Sequence, residues 1–136
     1  MSVVDPQREM AAAVLAQLKL SSALSPVVFD SVVDGSPKGW VVFYLQRLHN
    51  GPRLAGPPSQ LDWLLTVHSV GEDVFEARAK SELVFAQLHG VRLPVDGWVS
   101  SPVRPDLSQP IDWDDTVSPP KAFLVDQFRW RSDRAA

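Results

Sequence analysis

Leu61-Asp62-Trp63-Leu64-Leu65-Thr66-Val67-His68-Ser69-Val70-Gly71 runs straight into Glu72-Asp73-Val74-Phe75-Glu76, and the change of period at Gly71 decides the fold class. Before that glycine, Leu61, Trp63, Leu65 and Val67 alternate with Asp62, Thr66 and His68. This is the two-residue period of a strand with one drier face. Leu64 breaks the alternation, so the second face is expected to be partly covered as well. After the glycine, Asp73-x-x-Glu76 forms a capping box, with Asp in the place usually held by Ser or Thr. Val74, Ala77, Ser81, Val84, Phe85 and Leu88 then recur at helical spacing as the stripe to be buried. His89-Gly90 closes the helix with a glycine, and Glu76 and Lys80 stand four residues apart in the favourable order.

Upstream, Asp5-Pro6 reads as an N-cap followed by a proline in the first helical position. Met10, Ala11, Val14, Leu15 and Leu18 carry an apolar stripe to about Lys19, where the serines and Pro26 break it. Val27-Val28-Phe29 is a short strand. The turn Asp34-Gly35-Ser36-Pro37-Lys38-Gly39 then leads to Trp40–Leu45, apolar on both faces as a central strand should be. These two strands are expected to pair antiparallel. Residues 47 to 60 change character, with three prolines and two glycines among polar and basic residues. A connection of that length in a small domain points to function or to disorder.

Downstream, residues 91 to 120 hold six of the twelve prolines, with short strands predicted at 95–99 and around Ile111-Asp112-Trp113. Residues 122 to 131 read as the closing strand, with Leu124, Phe128 and Trp130 on one face. Asp126 falls on that same face and requires a partner or an exposed position. The fold class predicted is α+β: one mostly antiparallel sheet of about five strands with two amphipathic helices packed on it. A single domain spans residues 1–136, with long loops at 47–60 and 100–120 and a frayed tail over 132–136.

Apolar residues make up 45% of the chain and charged residues 21%, with a net charge of −3. That balance belongs to a globular domain and argues against a dedicated nucleic-acid surface, which would carry a basic excess. The absence of cysteine excludes disulfides, thiolate metal sites and a cysteine nucleophile. The first residues lack the pattern of a signal peptide, and no run approaches the ~18 apolar residues of a membrane span. A cytoplasmic protein without membrane contact is expected.

The chemistry-bearing motifs are missing. His49, His68 and His89 stand on three different elements, none with a second ligand at metal spacing. Asp112-Trp113-Asp114-Asp115 matches no calcium loop, and reads as a solvated segment with Trp113 tucked inward. The glycines fit neither dinucleotide nor phosphate-loop spacing, and no serine stands in G-x-S-x-G. No catalytic residue, cofactor or metal is expected. Of the five tryptophans, Trp63 is predicted to be core; Trp40, Trp98, Trp113 and Trp130 lie where their N–H groups can stay wet, with core the default reading for them and an interface the alternative.

The order of these features resembles the tail terminator (tail completion) family of long-tailed bacteriophages. The resemblance rests on the N-terminal amphipathic helix, the strands at Val27–Asp30 and Trp40–Leu45, and Leu61-x-Trp63-x-Leu65-x-Val67-x-Ser69-Val70-Gly71 running into a helix that ends Leu88-His89-Gly90. The closing strand with its aromatic-and-arginine ending completes it. It implies a structural virion protein, a homohexameric ring that caps the tail tube and joins it to the head connector. Its expected partners are further copies of itself, the tail tube protein and the connector protein. It also implies residence in the virion at the tail neck, after assembly in the host cytoplasm. Another head–tail neck protein and a non-viral adaptor binding a peptide at a sheet edge remain open. Within the chain, Arg47, Leu48, His49, Arg53 and Leu54 form the candidate assembly element, basic where the chain is otherwise acidic.

Overall fold

The computed structural model describes residues 5–48 and 60–135. In them α1 (Gln7–Leu18), β1 (Val28–Asp30), β2 (Trp40–Leu48), β3 (Gln60–Gly71), α2 (Val74–Leu88), β4 (Trp98–Ser100), β5 (Arg104–Ser108), β6 (Asp112–Asp114) and β7 (Lys121–Arg134) follow in chain order. The α+β class holds. The sheet is mixed rather than mostly antiparallel, and has seven strands rather than about five, in the order β1-β2-β3-β7-β4 with β5 and β6 also on β7.

β1 is the strand that makes it mixed, for it pairs with β2 in parallel, Val28 beside Val41 and Asp30 beside Phe43. A hairpin was expected from the turn residues. Residues 31–39 can extend to about 30 Å, however, while retracing a strand as short as β1 takes only about 10 Å. The chain therefore returns alongside β1 instead of folding back on it, with Ser31 and Gly35 at positive φ on the way.

β7 organises the other half. One of its edges pairs with the whole of β3, from Gly71 beside Ala122 to Gln60 beside Asp133. The other edge is covered in turn by β4, β5 and β6, all antiparallel to it. The proline-rich stretch read as a loop is thus largely a segmented edge. Pro105 sits in β5, an edge strand with no second neighbour among the described residues, where a missing N–H is tolerated. Of the tail expected to fray, residues 132–134 belong to β7. Ser132 is buried and the backbone nitrogen of Ala135 donates to Gly97 O at 2.9 Å.

Both helices lie on one face of the sheet. Met10, Val14 and Leu18 of α1 and Ala77, Val84 and Leu88 of α2 are fully buried. They meet Val41, Phe43, Trp63, Leu65, Val67 and Phe128 from the strands. Phe85, placed in the stripe by its spacing, instead lies outside it, stacked on His89 at a centroid distance of 4.9 Å. Gly90 takes a positive φ, as the helix end requires. At the start of α2, Glu76 N donates to Asp73 Oδ1 at 2.8 Å, while the Glu76 carboxylate accepts from Glu72 N at 2.9 Å. The capping box forms, shifted by one residue on its return arm. α1 begins without such a cap: Pro6 holds the N-cap position and no side chain closes it. Asp5 instead makes an ion pair with Arg47.

Several polar groups on the inner face are paired, while Ser69 Oγ and Trp130 Nε1 are buried without a hydrogen-bond partner. Asp126 accepts from Ser81 Oγ and from Ser108 Oγ, each at 2.6 Å, which supplies the partners its position demands. Trp63 Nε1 donates to Ser132 Oγ at 3.2 Å, and Ser132 in turn bonds Ser100 at 2.9 Å. This links β3, β7 and β4 through a buried chain. Trp98 and Trp130 are also buried, in keeping with the default core reading.

Candidate functional site

The two helices cover one face of the sheet, and the sheet register sorts residues onto the opposite face, where Val42, Val70 and Val125 are buried and Tyr44 is exposed. Trp40, Val42, Tyr44 and Gln46 of β2 stand beside Val70, His68, Thr66 and Leu64 of β3. Those in turn stand beside Phe123, Val125, Gln127 and Arg129 of β7. One end of this face is aromatic and the other is charged.

At the aromatic end His68 packs edge-on against Tyr44 at 5.4 Å and lies nearly parallel to Phe123 at 6.2 Å. Partial burial lowers the pKa of His68, so the imidazole is neutral at pH 7. A concavity of about 380 Å³ opens here, lined by Trp40, Tyr44, His68, Trp113, Asp114 and Phe123 among others. His68 was read as a hydrogen-bonded strand histidine. It is held between aromatic rings instead. His89 lies beyond the helical face at the end of α2, so the sheet separates the two, and His49 lies outside the described residues. Among the described residues no three His, Asp or Glu side chains are grouped to hold a metal ion.

At the charged end a cleft of about 430 Å³ is lined by Arg92, Arg104, Arg129 and Arg131, together with Asp62 and Asp133. Arg129 Nε pairs with Asp106 at 2.9 Å, Arg131 with Asp133 at 3.3 Å, and Arg92 donates to Ser100 O at 3.1 Å. This cluster was missed in the sequence because its arginines are spread over 40 positions. The alternation of Arg129 and Arg131 in the closing strand was the available signal, since a period of two places both on one face.

Of the candidate assembly element, only Arg47 and Leu48 are described. Arg47 is engaged internally, its guanidinium paired with Asp5 ahead of α1, and Leu48 closes β2 half-buried. His49, Arg53 and Leu54 lie outside the described residues. Trp113, expected to tuck inward, is 45% exposed at the tip of the acidic run.

No sequence-family model matches the chain, and no curated protein does either. Solved structures do match it. A chain from the virion of a native gene transfer agent (GTA) particle superposes with a TM-score of 0.65 at 16% identity, covering 91% of this chain and 94% of that one. A second solved chain, which carries no functional description, superposes with a TM-score of 0.60 at 12% identity over 93% and 96% of the two chains. At these identities the shared property is the fold, and this chain has the fold of a chain found in a virion.

Proposed function

We propose that this protein is a structural component of a virion, and within it the tail terminator subunit. As a single domain it would assemble into a ring, most simply a homohexamer, that caps the tail tube and joins it to the head connector. The observation that carries the reading is the likeness to a chain of a gene transfer agent virion over nearly the full length of both chains. The surface fits an assembling protein. The sheet face opposite the helices is aromatic at one end and arginine-rich at the other. A closed ring needs such a difference, because a heterologous interface joins two unlike patches of the same subunit. The segment from Arg47 to Ser59, with Leu48, His49, Arg53 and Leu54, is part of the proposal as the element that meets the tube protein.

The test is the size and shape of the purified particle. Native mass spectrometry should give a closed oligomer, electron microscopy should show rings, and added tail tubes should carry one ring at an end. A monomer that ignores both tubes and connector overturns the reading. A ring that binds the connector and ignores tubes moves the protein to another position in the neck.

A further inference from the structure

The cleft gathers four arginines, Arg92, Arg104, Arg129 and Arg131, near the C-terminal end of β7 in a chain whose net charge is −3. Two carboxylates, Asp62 and Asp133, share the lining. Three of the arginines have side-chain partners within the chain, and the exposed side chain of Arg104 has no ion pair or hydrogen bond among the described residues. The opposite sign collects at the other end of the same edge. Asp112 and Asp114 of β6 and Asp115 after it surround the half-exposed Trp113. None of the three meets a basic side chain among the described residues. Asp112 accepts from the backbone nitrogen of Trp113, and Asp114 from Thr116. Lys121, across the ladder from Asp114, is turned away and donates to Lys38 O at 3.0 Å.

The spacing of the two patches follows from β7. β6 pairs with it at Lys121–Phe123, and the cleft lies at Arg129–Asp133. The centres of the two stretches, residues 122 and 131, are nine positions apart, about 30 Å at 3.3 Å per residue. That approaches the full width of a domain of this size. Complementary charges at opposite ends of one subunit are what head-to-tail closure uses.

We infer that the Asp112–Asp115 run of one copy enters the arginine cleft of the next. Trp113 lies against the guanidinium planes, and Asp112 and Asp115 face Arg104 and Arg131. An exposed aromatic flanked by carboxylates suits an arginine-lined cleft twice over, since guanidinium groups stack on indole as well as pairing with carboxylates. The inference rests on the ring reading above and names the contact that closes the ring. Contacts between exposed charges are screened by salt, so the assembly should weaken as ionic strength rises.

Charge reversal tests it. In R104E/R131E both patches become acidic, and in D112R/D115R both become basic. Each variant alone should assemble at least tenfold more weakly than wild type by sedimentation velocity at low salt, while still melting cooperatively as a folded chain. An equimolar mixture of the two should assemble again, because each then offers the other the missing sign. Wild-type-like assembly of either variant alone, or a mixture that stays dissociated, overturns the inference and leaves the ring reading standing. A wild-type chain that never assembles overturns both.

Discussion

At Gly71 an added Cβ would lie 2.6 Å from the backbone nitrogen of Ala77 and 2.6 Å from Cβ of Glu76. Neither atom is the free end of a flexible side chain, so the clash is relieved only by moving the start of α2 away from β3. Gly71→Ala should therefore cost about 1–3 kcal/mol, as overpacking does, read in a denaturant titration. A neutral result would show that the junction has slack. The sequence marks this glycine as the point where the period changes, but the approach of the helix backbone belongs to the folded chain alone. His68 gives a second residue-scale expectation. Burial lowers its pKa, so folding favours the neutral imidazole and the unfolded chain binds the proton more readily. Stability is then complete above the ordinary histidine range and falls as the pH drops through it. His68→Phe should flatten that fall between pH 7.5 and 5.5 in melting curves taken at several pH values. An unchanged slope would assign it to other groups. No sequence pattern announces the flanking rings, because Tyr44 and Phe123 reach His68 only through the register of β2, β3 and β7.

Among the elements, α2 was the most legible, because its stripe, cap and terminal glycine all agree on one phase. Val84, fully buried, and Glu82, exposed, test that phase two residues apart. Val84→Asp places a charge in the core beside Trp63 and Leu88 and should cost at least about 3 kcal/mol, enough to unfold a marginal domain. Glu82→Ala should stay within about 0.5 kcal/mol of neutral. Equal losses in urea titrations would mean that the helix is rotated. The stripe was still wrong at Phe85, because helical spacing defines an arc and the edge of that arc is decided by what packs there. β5 was illegible for a different reason. All five of its residues are exposed and one is proline, so neither alternation nor propensity marks it. Its order comes from the edge of β7, including the Asp106–Arg129 pair. The direction of β1 and the order of the last residues were hidden in the same way. Three apolar residues do not encode a direction, and the polar tail is held by β4, a strand more than 30 residues upstream.

For the whole molecule, the sharpest separation between folding and assembly concerns the connection between β2 and β3. These strands pair along their full shared length, from Trp40 beside Val70 to Leu48 beside Asp62. The pairing is antiparallel, so their ends already stand side by side, and a short turn is geometrically sufficient to join them. Residues 50 to 57 can then be removed without stretching either strand. The entropy of closing a loop changes slowly with its length, by about 0.6 kcal/mol per doubling, so a shortened connection should be neutral or slightly stabilising. The Arg47–Asp5 ion pair and the half-buried Leu48 lie before the cut and stay in place. Under the proposed function the same deletion removes Arg53 and Leu54 from the element assigned to the tube protein. The expected result is a variant with an unchanged melting temperature that no longer caps tail tubes in a reconstitution followed by electron microscopy. Ring size adds a second readout, because the arginine cleft and the acidic run at β6 are untouched by the deletion. Rings should still form at low salt while capping is lost. A deletion variant that caps tubes as well as wild type would leave the connection without a role in assembly. One that melts much earlier would show that residues 50 to 57 contribute to the fold itself.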